Sequence, residues 1–135
     1  MKSYYIFLLS IIFFNNCTAQ NNNLIIIEYV AETRGSSISL TVNSTEIVYS
    51  NNTETKKIEI SENLWKEIKG LVLKIELNSI NNLTAPSNES HTDRALSASL
   101  SITKNETLYE SSTFDHGNPP SELKDLINKL FEIVN

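Results

Sequence analysis

The chain has 135 residues, with 16 acidic side chains against 11 basic ones and a formal charge of −5. A mildly acidic domain with only two arginines, Arg34 and Arg94, lacks the basic patch that nucleic-acid binding calls for. The length suits one hydrophobic core, and the single cysteine excludes an internal disulfide.

Residues 1–16 have the layout of an export signal. Met1-Lys2-Ser3 is a positively charged start, Tyr4 to Phe14 is almost wholly apolar, and Asn15-Asn16-Cys17-Thr18-Ala19 follows. As a helix the apolar run spans roughly 16 Å at about 1.5 Å per residue. That falls short of the ~30 Å hydrocarbon core of a bilayer, so the leader is expected to deliver the chain rather than remain as a span. Removing residues 1–16 takes away Lys2 and no acidic residue, which moves the formal charge from −5 to −6.

Residues 17–23 hold Cys17 and a short polar tether. The segment Phe13-Phe14-Asn15-Asn16-Cys17 resembles the lipobox of bacterial lipoproteins. The resemblance implies a diacylglyceryl group on the Cys17 thiol, cleavage just before it and an acylated amino terminus. The expected location is then the bacterial cell envelope, membrane-anchored and facing the periplasm or the cell surface. The competing reading is cleavage after Ala19, which would release a soluble secreted protein. Asn-x-Ser/Thr sequons begin at Asn43, Asn51, Asn82, Asn88 and Asn105. In a chain rich in Asn, Ser and Thr they are expected to arise by composition, and the lack of paired cysteines favours a bacterial envelope.

Residues 24–135 read as one α+β domain. Leu24 to Val30 is a β-branched run expected to be a strand buried on both faces. Arg34-Gly35 turns the chain, and Ile38, Leu40 and Val42 alternate with polar neighbours as a half-buried strand. Glu46 to Ser50 and Lys56 to Ile60 form a hairpin through Asn51-Asn52-Thr53. Ser61 then caps a helix carrying Leu64, Trp65, Ile68, Leu71, Val72 and Ile75, with Gly70 as a point of fraying or termination. Trp65 is expected to anchor this helix on the sheet. Leu77 to Pro86 reads as an irregular crossing. Leu96, Ala98, Leu100 and Ile102 mark a half-buried strand, turned by Lys104-Asn105-Glu106 into a partner from Thr107 to Phe114. Asn118 caps the last helix, with Pro119 in its first turn and an apolar stripe from Leu123 to Val134. The sum is an antiparallel sheet of about five to six strands with two amphipathic helices on one face.

Polar residues concentrate in Phe114-Asp115-His116-Gly117-Asn118-Pro119-Pro120. Asp93, Asp115, His116 and Gly117 form the candidate functional loop. With His91, the residues Asp93, Asp115 and His116 supply the imidazoles and carboxylates that a divalent cation or a hydrolytic site would use, but without the spacing of a metal motif. Asp115 is expected to accept backbone hydrogen bonds in the turn, and Gly117 to supply a positive φ. No cofactor is expected. No nucleophile elbow is present, and serines on the strands read as a solvated face that a carbohydrate or a partner strand could meet.

Trp65, Leu83-Thr84-Ala85-Pro86-Ser87, Asp93 with Ala95, and the Phe-Asp-His-Gly-x-Pro-Pro stretch from Phe114 to Pro120 resemble a group of small uncharacterised envelope lipoproteins of Gram-negative bacteria. The resemblance covers roughly Ile26 to Val134 and implies no activity. The element order is also similar to that of emfourin-type inhibitors of thermolysin-like metalloproteases, which implies a protease as one class of partner. The expectation is a lipid-anchored, non-enzymatic binding or inhibitor-like module. The alternatives are a metal-dependent or hydrolytic enzyme using His91, Asp93, Asp115 and His116, and a structural envelope component.

Overall fold

A computed structural model describes residues 24–135. The export leader, Cys17 and the tether lie outside the described residues.

Seven strands form one antiparallel sheet: β1 (Ile25–Thr33), β2 (Ser36–Val42), β3 (Glu46–Asn51), β4 (Thr55–Glu59), β5 (Ser97–Lys104), β6 (Thr107–Glu110) and β7 (Phe114–Asp115). The spatial order is β4-β3-β2-β1-β5-β6, with β7 also pairing to β5. Helix α1 (Glu62–Val72) lies between β4 and β5 in sequence, and α2 (Ser121–Val134) closes the chain. The first four strands meander because each connection is too short for anything but a hairpin. The long excursion through α1 then brings β5 back beside β1.

Period-2 alternation decides which side of the sheet is covered. Ile25, Ile27, Tyr29 and Ala31 of β1, Leu40 and Val42 of β2, Ile47 of β3, and Ala98, Leu100 and Ile102 of β5 all point to one face. There they meet Trp65, Ile68 and Val72 of α1 and Leu123, Leu126, Ile127, Leu130 and Val134 of α2 in a single core. Trp65 is buried in this core, as its place on the helix suggests. Among the described residues the opposite face carries no helix, and it exposes Glu28, Val30 and Glu32 along β1. The β-branched start of β1 is therefore buried on one face only. Its hydrophobic run signals two covered faces, but α1 and α2 both pack on the same side, and Val30 is left 41% exposed.

Two hairpins use the same local device. Asn43 Oδ1 accepts from the Thr45 N–H at 2.8 Å and the Thr45 hydroxyl at 2.7 Å. Asn51 Oδ1 does the same with Thr53, at 2.9 and 2.8 Å. The Asn-x-Thr pattern at these positions is thus an Asx turn between strands, which accounts for two of the sequons in the folded chain. The β5–β6 hairpin instead has Asn105 at φ 50 and Glu106 at φ 67, the backbone of a type I′ turn, which matches the twist of the flanking strands.

The last edge strand is broken rather than continuous. Ser101 faces Glu110 while Ala98 faces Phe114, so two residues of β5 stand opposite three, Ser111 to Thr113. This is a β-bulge. Ser111 repairs it: its N–H donates to the Leu100 carbonyl at 2.9 Å, and its hydroxyl accepts the Leu100 N–H at 3.0 Å.

Ser61 caps α1 as its sequence position implies, accepting from the Leu64 N–H at 3.3 Å. Gly70 does not stop the helix, which continues to Val72 because Ile68 and Val72 are both buried in the core. Ile75 is buried beyond the helix end, and Leu77–Asn82 forms a short 3-10 segment. Asn118 does not cap α2. The helix begins three residues later, at Ser121, with Pro120 at the capping position, while the Asn118 side chain is engaged with Ser87. Among the described residues no helix is long and apolar enough to cross a membrane.

Candidate functional site

The strands place their ends in two groups. At one end, here the Ser97 end, β1 finishes, β2 and β5 begin, and β7 leads into α2. The loops that gather there include every candidate residue read from the sequence.

Asp115 is the fixed point. It is buried at 2% exposure, and both carboxylate oxygens are taken up by the loop that precedes β5. The Ser87 hydroxyl and the Glu89 N–H donate to Oδ2, the latter at 2.7 Å, and the Ser90 N–H donates to Oδ1 at 2.8 Å. The Ser87 hydroxyl bond, joined by those from the two backbone amides, outweighs desolvation and holds the carboxyl well below the ordinary carboxylate range. Asn118 adds to the clasp, its Nδ2 donating to Ser87 Oγ at 2.8 Å. Asp115 does accept backbone hydrogen bonds, but they come from residues 89 and 90 rather than from its own turn. Within that turn it is the Asp115 carbonyl that receives the Asn118 N–H, at 2.9 Å, while Gly117 takes the positive φ of 85.

His116 faces the other way, into an aromatic cluster. Its Nδ1 lies 2.7 Å from the Tyr29 hydroxyl, and its ring packs against Phe131 at a centroid distance of 5.6 Å. Tyr29 meets Phe131 edge-on at 5.1 Å and Phe114 at 6.2 Å. Burial lowers the His116 pKa and raises that of Tyr29. With the imidazole neutral, one proton is shared between Nδ1 and the phenol oxygen, and the tautomer of the ring decides which of the two donates. Meanwhile the His116 N–H donates to the Leu96 carbonyl at 2.9 Å. Hydrophobic periodicity marks Tyr29 only as a core position. No local signal ties it to a histidine 87 residues away.

His91 and Asp93 lie in and just after the 3-10 segment Glu89–Thr92, and both are exposed. Asp93 takes a left-handed backbone at φ 56, and Thr33 Oγ1 approaches its Oδ1 at 3.5 Å. The backbone of this segment is brought against Asp115, yet its imidazole and carboxylate are not gathered with it. Among the described residues no three His, Cys, Asp or Glu side chains are placed to hold a metal ion. The set His91, Asp93, Asp115 and His116 thus fails to assemble as a metal site, because Asp115 and His116 each turn inward to a different partner.

A second tie completes this end. Asn52, in the β3–β4 loop, accepts the Ser37 N–H at 2.7 Å and donates to the Gly35 carbonyl at 2.6 Å, which fixes the β1–β2 turn. Beside it is an open hollow of about 310 Å³, lined by Ser37, Ile38, Tyr49, Asn51, Asn52 and Leu96 among others. The result is a set of polar loops held in fixed positions on a rigid sheet.

No protein family, curated protein or solved structure matches this chain.

Proposed function

We propose that this protein is a non-enzymatic binding module, anchored in the bacterial envelope by acyl chains on Cys17, that holds a protein partner at the Ser97 end. What supports the reading is the clasp of Asp115 on Ser87, Glu89 and Ser90. A buried carboxylate that spends its acceptors on backbone and hydroxyl groups is committed to positioning a loop. Because its pKa is lowered, it is a poor proton donor or acceptor for general acid–base work near neutral pH. Loops already held in one conformation lose little entropy on binding, and rigid scaffolds carrying fixed loops are the usual platform for recognition. The likeness to emfourin-type inhibitors makes a protease one class of partner to look for.

A photo-crosslinking amino acid at Arg34 or Thr92, both exposed at this end, tests the proposal in intact cells. The expected result is one common adduct from both positions and none from Thr41 on the uncovered sheet face. Absence of any adduct from Arg34 and Thr92, or an equal adduct from Thr41, overturns the reading.

A further inference from the structure

The opposite end of the sheet, where β1 begins, has a different chemistry. Lys66 and Lys69 of α1 and Lys104 of β5 surround a hollow of about 310 Å³ whose floor and rim include Ile25, Gly70 and Leu73. Lys74 follows directly after Leu73 at the end of the same helix. Lys66 is paired with Glu62 at 3.2 Å, whereas Lys69, Lys74 and Lys104 make no ion pair among the described residues. Three of the large apolar side chains most exposed to solvent, Leu24 at 50%, Leu73 at 68% and Leu108 at 60%, also lie at this end. The neighbouring acidic residues are Glu106 in the hairpin and Glu76, which accepts from the Asn78 N–H at 3.3 Å. Toward the β3–β4 edge of this same end lie Glu46 and Glu59, which face each other, and Glu62; Glu46 is paired with Lys57 at 3.4 Å and Glu62 with Lys66, while Glu28, Glu32 and Glu110 lie along the strands.

This is also the end at which the chain arrives from Cys17. Only six residues, Thr18 to Asn23, separate that cysteine from Leu24. A fully extended chain covers at most about 3.5 Å per residue, so Leu24 stays within roughly 25 Å of the acylated cysteine.

We propose that this end rests on an anionic phospholipid surface, with Lys66, Lys69, Lys74 and Lys104 on the headgroups and Leu24 and Leu73 at the interface. The proposal depends on the lipid anchor at Cys17. Lysine stems can lie along the apolar rim while their ammonium groups reach phosphate. Each lysine near an anionic surface adds to binding within about one Debye length, ~8 Å at physiological salt. Acidic residues at the Ser97 end, such as Glu32 and Asp93, are repelled by the same surface. The two effects together turn the Ile25 end down and present the Ser97 end to the medium.

Residues 24–135 hold the whole sheet, both helices and the one core, so that fragment can be tested by itself. It is sedimented at low salt with vesicles of phosphatidylcholine containing one-third phosphatidylglycerol, and with phosphatidylcholine alone. The expected result is uptake by the anionic vesicles only. Lys69→Gln with Lys104→Gln should lower partitioning about 25-fold, roughly fivefold per lysine, while Lys124→Gln at the start of α2 leaves it unchanged. No uptake, equal uptake by neutral vesicles, or an equal loss with Lys124→Gln overturns the proposal. The intact mass of membrane-extracted protein separates the two ideas. An unacylated Cys17 overturns the anchor and this contact together, whereas an acylated protein whose fragment ignores anionic vesicles overturns the contact alone.

Discussion

The hydroxyl of Tyr29 sits 2.7 Å from Nδ1 of His116, which ties the middle of β1 to the turn that leads into α2. Burial lowers the His116 pKa, so the folded state takes up its proton at lower pH than the unfolded chain does. The sign follows by linkage. At pH above the ordinary histidine value of about 6.5 both states are neutral and stability is full. Below it the unfolded chain binds a proton first, and stability falls as pH drops toward the folded pKa. Urea unfolding at pH 7.5 and 5.5 should show a lower midpoint at the acid value. In His116→Gln that difference should largely disappear.

Asp115 has a dependence of the same sign in a lower pH window. Its folded pKa is lowered, so its contribution is present above the ordinary carboxylate range near pH 4 and is lost as pH falls below it. Asp115→Ala should reduce the melting temperature and speed amide hydrogen exchange at Glu89 and Ser90 by roughly tenfold or more, since each loses its acceptor. Exchange in β2 and β3 should change much less. Asp115→Asn, which keeps one acceptor oxygen, should fall between the two.

The one-sided sheet is tested by a pair of substitutions. Leu100 is fully buried between β1 and the bulged edge, and Leu100→Ala should cost about 2–5 kcal/mol through lost burial and the cavity left behind. Val30 stands on the uncovered face at 41% exposure, so Val30→Ala should change stability by only about 0.5 kcal/mol. Equal losses in denaturant titration would mean that the second face is covered.

Ser111 substitutes a side chain for a missing backbone acceptor. Ser111→Ala leaves the Leu100 N–H without its partner in a buried edge, and should cost about 1–3 kcal/mol. Ser111→Thr keeps the hydroxyl and should recover part of that loss.

Glu106 holds a left-handed backbone at φ 67, for which an L-residue is poorly suited. Glu106→Gly should stabilise the protein by up to about 1 kcal/mol, read as a rise in melting temperature of several degrees. It also removes one negative charge from the Ile25 end, so the same variant should partition more strongly onto anionic vesicles.

Local rules accounted for most elements. Ser61 before an amphipathic run marked α1, Arg34-Gly35 and Asn51-Asn52-Thr53 marked hairpins, and alternation in β2 and β5 assigned their inner faces correctly. These features depend on neighbours a few residues apart, where propensity and periodicity act directly. The last edge strand was legible only in part, since a bulge is a matter of register against β5 and a continuous pattern from Thr107 to Phe114 does not report it.

The sequence by itself established an acidic chain with an antiparallel sheet, two amphipathic helices and a polar run between Phe114 and Pro120. It could not show that Asp115 and His116, adjacent in the chain, face opposite partners. Consecutive residues at a strand end point to opposite sides, and what each meets is decided by chain segments tens of residues away: Ser87 to Ser90 for one, Tyr29 and Phe131 for the other. The uncovered sheet face and the lysine-lined end were settled the same way. Both depend on where α1 and α2 pack, and that choice belongs to the core as a whole.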